Sequence, residues 1–234
     1  MVLNKTVPLF ALKKAEQYLR MPMILPPSFY SRPTVRVARD LVGQTLLHET
    51  PEGTVSGRIV EVEAYLPKND PGCHAARGLT PRNRIMFGLP GRAYVYFCYG
   101  NHFLFNVVTE KEGVPGAVLI RALEPIAGEE LMARRRGHLN PGEKTLTNGP
   151  GKLVQALGLT QVHNGTDLCR KPLYLRQTER KGKIGVTTRI GITKGSDLPL
   201  RFYLEGTDYL SVKAGLDRPS PGKKKKQSKS RQGT

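Results

Sequence analysis

A chain of 234 residues with 38% apolar content can bury the core of one domain and gives no reason to expect two. Its formal charge of +18 points to a polyanionic partner, because each neutralised phosphate releases condensed counterions, although a basic surface also serves solubility. Three widely spaced cysteines without a CxxC pair argue against structural zinc and iron–sulfur sites, and no run of 18 apolar residues offers a membrane span.

Residues 1–26 read as an N-terminal extension with a weakly amphipathic stretch over 8–20. The apolar run at 7–12 is short and followed by charges, so no signal peptide is expected. Residues 33–41 predict a helix, with Pro33 at its start and Gly43 just past its end. A strand follows over 44–48. The segment Arg58-Ile-Val-Glu-Val-Glu-Ala-Tyr65 predicts another, and period-two alternation sends Ile59, Glu61, Glu63 and Tyr65 to one face. Most strand carboxylates face water. Buried, this pair would need partners or a chemical task to offset desolvation.

Residues 73–84 form a basic loop rich in turn residues, carrying His74, Thr80, Arg82, Asn83 and Arg84. Next come two β-favouring runs joined at Gly100-Asn101, good hairpin chemistry that sets Tyr99 at the tip. Alternation places Tyr94, Tyr96 and Cys98 on one side and Val95, Phe97 and Tyr99 on the other; Cys98 is expected in the core. A strand over 117–123 precedes a helix over 127–136, whose Arg134, Arg135 and Arg136 sit at the negative end of its dipole. Such a cluster either meets phosphates or is simply solvated. A short helix over 151–157 and strands over 183–189 and 201–204 close the domain. Helices and strands in irregular alternation argue for α+β rather than a wound parallel sheet. The expected architecture is a single domain over 27–218 with a curved, mainly antiparallel sheet, a protruding β-hairpin and surrounding helices. From Pro219 onward the chain is basic, of low complexity and expected to be disordered; these sixteen residues hold six Lys/Arg and no acid, leaving +12 on the rest.

Several of these pieces, in register, resemble the alkyladenine (3-methyladenine) DNA glycosylase family, of the methylpurine glycosylase type. They are the 58–65 strand, His74, Thr-Pro-Arg-Asn at 80–83, Tyr-Val-Tyr-x-x-Tyr-Gly at 94–100, and Asn106. Leu-Ile-Arg-Ala-Leu-Glu-Pro at 119–125, Asn-Gly-Pro-Gly-Lys-Leu at 148–153 and Pro-Leu-Arg-Phe-Tyr at 199–203 complete the set, which spans roughly residues 27–213. The resemblance implies an enzyme that extrudes a damaged purine from duplex DNA and hydrolyses its N-glycosidic bond, the first step of base excision repair. Tyr99 is then the residue wedged into the duplex, or else a tip aromatic packing on its own strand. Tyr65, His74 and Tyr96 are assigned to stacking on the flipped base.

By the same resemblance Glu63 is the general base that activates water at C1′ of the sugar, and Arg121 helps to hold water and carboxylate. A strand-borne salt bridge is the plainer account of Arg121. Glu61 reads as structural or as support for the base. Asn106 matches a residue that guards the pocket against the 2-amino group of guanine, or it caps hairpin backbone. Arg82, Arg84 and Lys152 are candidate backbone contacts. No lysine occupies a motif position suited to a Schiff base, so a monofunctional enzyme without metal or cofactor is expected. Its partner is double-stranded DNA holding a damaged purine; a monomer without membrane association is expected, cytoplasmic and nucleoid-associated if bacterial, nuclear if eukaryotic. A non-catalytic nucleic-acid-binding module would not need Glu63. A different transferase or hydrolase, using the Glu61/Glu63 pair on an RNA or nucleoside substrate, would have no use for a hairpin-tip Tyr99 or for so basic a surface.

Overall fold

A computed structural model describes residues 23–98, 100–179 and 182–213. The extension up to residue 22, the tail from 214 and the tip residue Tyr99 lie outside the described residues.

Eight strands form one antiparallel sheet. They are β1 (Thr45–Thr50), β2 (Gly53–Tyr65), β3 (Ala93–Cys98), β4 (His102–Thr109), β5 (Gly116–Ala127), β6 (Leu173–Arg176), β7 (Ile184–Thr187) and β8 (Arg201–Leu204). Their order is β3-β4-β5-β2-β1-β6, and β8 joins β7 to β2. With helices packed around this curled sheet, the fold is α+β, as the irregular alternation predicts. β2 organises the molecule. One edge pairs with β5, while the other pairs with β1 over Gly53 to Arg58 and with β8 over Glu61 to Glu63. Both carboxylates therefore sit at the sheet's interior, where hydrophobic strands normally run.

β2 departs from simple alternation in two places, between Ser56 and Gly57 and again around Glu61. Register shifts fall between Ile59 and Glu61 and between Glu61 and Val62. The first leaves Val60 extra on β2; the second leaves Arg121 extra on β5, so the two offset each other. Bulges of this kind re-aim a side chain, and here they flank the carboxylate that Arg121 meets.

The described helices are α1 (Pro27–Tyr30), α2 (Thr34–Leu41), α3 (Glu129–Arg135) and α4 (Pro150–Leu157). α2 starts within a residue of its expected place and buries Thr34, Val37, Ala38 and Leu41, the stripe a core-facing helix requires. α3 begins two residues later than expected. Gly128 stands before it at φ 79°, and a Cβ there would meet the Thr54 carbonyl oxygen at 2.5 Å, so this turn demands glycine. α3 opens with Glu129 and Glu130 and closes with Arg134 and Arg135, each suited to the dipole at its end. β6 was not expected, since four residues offer too little alternation to stand out; it pairs on the far side of β1.

Two apolar clusters follow. The main core gathers Ile59, Val62, Val95, Phe105, Val107 and Ile120 from the sheet with Val37, Leu41, Leu153 and Leu157 from α2 and α4. A smaller one, built on Cys73, Ala75, Met86, Tyr94, Val108 and Ala117, lies under the 73–87 loop, with Tyr65 and Tyr96 packed against it. This second cluster anchors the loop to β3–β5, and the candidate site opens beside it.

Candidate active site

Glu61 and Glu63 are both fully buried, so the solvent-facing alternative does not hold. Each is satisfied differently. Glu63 Oε1 accepts the Ile190 backbone N–H at 2.7 Å and lies 3.1 Å from Arg121 Nη1, while Oε2 accepts the Tyr65 hydroxyl at 3.0 Å. Glu61 Oε1 accepts Arg121 Nε at 2.9 Å, Arg201 Nε at 2.9 Å and Ser211 Oγ at 2.7 Å; Oε2 accepts the Ser211 N–H at 2.6 Å. Arg121 thus spans both carboxylates. Burial disfavours its cation, but the charges of Glu63 and then Glu61 outweigh that and hold it above its ordinary value.

Beside this network opens a cavity of about 550 Å³ lined by Tyr65, His74, Tyr94, Tyr96, Asn106 and Arg121, among others. That volume lies within the range of about 300–1,000 Å³ typical of small-ligand sites. The rings form a connected wall. His74 lies 4.8 Å from Tyr96, centroid to centroid, and Tyr96 lies 5.0 Å from Tyr94. His74 Nδ1 is 3.0 Å from the Tyr94 hydroxyl. Desolvation first, then Arg82 and Arg77, push the His74 pKa down, so the imidazole is neutral at neutral pH. Burial first, then the Glu63 charge, raises the Tyr65 phenol well above its usual value, so it remains a donor to Glu63.

Tyr65 is held from behind by a buried ion pair. The Arg189 guanidinium lies 4.7 Å from the Tyr65 ring centre and grips Asp70 with two bonds of 2.7 and 2.6 Å. Arg189 also donates to the carbonyls of Ala64 and Gly195. Asn106 Nδ2 donates to the Tyr94 carbonyl at 3.1 Å, a contact to hairpin backbone, and the residue also lines the cavity.

The three basic candidates lie apart in character. Arg82 is exposed, but its guanidinium stacks 4.8 Å from the Tyr96 ring centre and donates to the Phe97 carbonyl. Arg84 is exposed at the head of the 3-10 turn Arg84–Phe87. Lys152, half-buried on the cavity wall, donates to Asn148 Oδ1 at 2.8 Å. Cys98 is half-buried on the cavity wall instead of in the core, because its alternation partners Tyr94 and Tyr96 face the same opening. Asp70, Arg189, Arg201 and Ser211 were not foreseen. The Pro-Leu-Arg-Phe-Tyr run at 199–203 held one signal, an arginine in an otherwise apolar run, which opens β8.

Comparison with known proteins bears on this arrangement. A family model for methylpurine-DNA glycosylase (MPG) matches residues 28–208. A protein of Methanoculleus marisnigri is 54% identical over 194 residues, covering 81% of this chain and 99% of its own. One from Carboxydothermus hydrogenoformans is 50% identical over 194 residues, covering 82% and 100%, and one from Methanocella arvoryzae is 48% identical over 198 residues, covering 83% and 98%. All three are provisionally named 3-methyladenine DNA glycosylases. The chain belongs to the methylpurine-DNA glycosylase family and is a DNA glycosylase, a hydrolase acting on N-glycosyl bonds.

Proposed function

We propose that this glycosylase is monofunctional: it flips an alkylated purine such as 3-methyladenine out of duplex DNA and hydrolyses its bond with a water activated by Glu63. Hypoxanthine and ethenoadenine are further candidate bases. The observation that carries this reading is a buried carboxylate one hydrogen bond behind an aromatic cavity of small-ligand size. The flipped base stacks between Tyr65 on one side and His74 and Tyr96 on the other. A cationic base gains from the ring quadrupoles, and a neutral His74 adds no repulsion. Asn106 stands where it limits the base's edge.

Glu63 itself is shielded, since the Tyr65 hydroxyl occupies Oε2. That oxygen keeps a lone pair beyond the one the hydroxyl uses, with which a water entering beside the flipped base can bond. The ionised carboxylate then takes a proton from the water and stabilises the oxocarbenium-like sugar. Arg121, 3.1 Å from Oε1, holds the carboxylate in its orientation. Lys152 is engaged by Asn148, and we read it, with Arg82 and Arg84, as a phosphate contact instead of a Schiff-base amine.

The test is base release from a duplex carrying one lesion. Free base and an abasic strand that breaks only in alkali support the reading; strand cleavage without alkali, with borohydride trapping of a covalent complex, contradicts the monofunctional part.

Two further results are expected. Tyr99, in the connection between β3 and β4, fills the space left by the flipped base, so Tyr99→Ser slows single-turnover release roughly 10–100-fold, the worth of about 1–3 kcal/mol of stacking. Its unfolding midpoint stays put. Equal release rates for variant and wild type remove the wedge role. Deleting residues 219–234 takes away six positive charges. Duplex affinity falls and its salt dependence flattens, by about 0.9 in log–log slope for each phosphate no longer neutralised, while excision persists. Titrations at several salt concentrations read this; total loss of excision contradicts it.

A further inference from the structure

The partners of Glu61 have no evident need to be so many. A fully buried carboxylate accepting four hydrogen bonds, two of them from guanidiniums, is more than a strand requires to hold its register. Arg201, equally buried, sits on β8 directly across from Glu63 in the register, yet its Nε turns to Glu61 and its Nη2 donates to the Val212 carbonyl at 2.5 Å. Ser211 reaches Glu61 with its backbone N–H and hydroxyl, and Arg121 Nε and Nη2 in turn lie 3.3 and 3.2 Å from Ser211 Oγ. Ser211 and Val212 follow β8 and lie just past residue 208, where the family match ends.

We infer that Glu61, fixed by Ser211 and Arg201, is a positioning residue: it divides Arg121 between two carboxylates, so that a single guanidinium nitrogen faces Glu63. This rests on Glu63 being the base that activates water. Two guanidiniums and two carboxylates make a buried cluster without net charge. Without the Glu61 charge, Glu63 alone would face both cations. Arg121 would close on it with more of its fork, and a carboxylate so neutralised draws a proton from water less readily. The groups facing Glu63 are Glu61 and Tyr65 from β2, Arg121 from β5, Arg201 from β8, Tyr96 from β3 and Arg189 from the segment after β7. Only Glu61 among them opposes the cations.

The experiment is single-turnover base release by Glu61→Gln across pH, with duplex affinity and unfolding measured in parallel. Glutamine keeps the shape and removes the charge. Release is expected roughly 10–100-fold slower, part of the 10²–10⁴ a positioned base supplies, with duplex affinity unchanged. The acid limb of the pH–rate profile moves to lower pH, because a negative neighbour has gone. The double variant Glu61→Gln/Arg201→Gln restores neutrality and returns the acid limb towards that of the wild type. A folded Glu61→Gln with the wild-type rate, or a slower one whose acid limb has not moved, overturns the inference.

If Glu61→Gln does not fold, Ser211→Ala keeps every charge and removes one hydroxyl. It is expected to slow release roughly three- to tenfold, about one hydrogen bond, at unchanged affinity, and an unchanged rate overturns the inference. Absence of base release by the wild type on every lesion tried would overturn the hydrolytic reading and take this one with it.

Discussion

Asp70→Asn is expected to lower the unfolding free energy by about 3–5 kcal/mol, the cost of leaving one partner of a buried ion pair without its counter-charge. Both side chains of the Asp70–Arg189 pair are fully shielded from solvent. Every oxygen of Asp70 is committed: Oδ2 accepts Arg189 Nη1 and the Leu66 N–H, and Oδ1 accepts Arg189 Nη2 and the Gly72 N–H. An asparagine amide must turn its NH2 towards one of these donor pairs, whichever way it flips. Donor would then face donor in a dry site, which costs more than a missing bond. For a domain of this size the melting temperature should fall by roughly 6–20 °C. Activity should fall with it even where the fold survives, because Arg189 backs the Tyr65 ring. Calorimetry or a urea titration reads the first effect; a loss below about 1 kcal/mol would mean that the pair is hydrated and no keystone.

The second large effect is on rate. Glu63→Gln keeps the Ile190 and Tyr65 contacts sterically but removes the charge that, in the proposed reaction, takes a proton from water and faces the developing oxocarbenium. Base release is expected to fall roughly 10²–10⁴-fold, the usual contribution of a positioned general base, with a further share for lost electrostatic stabilisation. Duplex binding is expected to persist, since Glu63 is buried and touches no surface that DNA can reach before flipping. Folding is not expected to suffer as in Asp70→Asn, because Arg121 retains Glu61.

Much of this arrangement was legible in the sequence. The Tyr94, Tyr96, Cys98 side of β3 follows from alternation alone, and all three line the cavity. The stretch from Arg58 to Tyr65 announced a strand with two carboxylates, and both proved buried. What stayed hidden was whatever long-range pairing decides. Arg189 meets Asp70 across 119 residues and Arg201 meets Glu61 across 140, and no local pattern marks an arginine as buried when most are not. The offsetting bulges around Glu61 were equally out of reach: a period-two reading has no means of counting an extra residue in a partner strand. Arg121, which spans the two carboxylates, is the extra residue of β5 at the second of those bulges.

The central claim is that Glu63 drives hydrolysis from behind this cavity. Its most direct test is single-turnover base release from methylated or single-lesion duplex DNA, wild type against Glu63→Gln, with duplex affinity measured on the same samples. Release by the wild type and its loss in the variant at equal affinity is the predicted result. Equal release by both proteins, or binding by both without release of any base, would contradict the account.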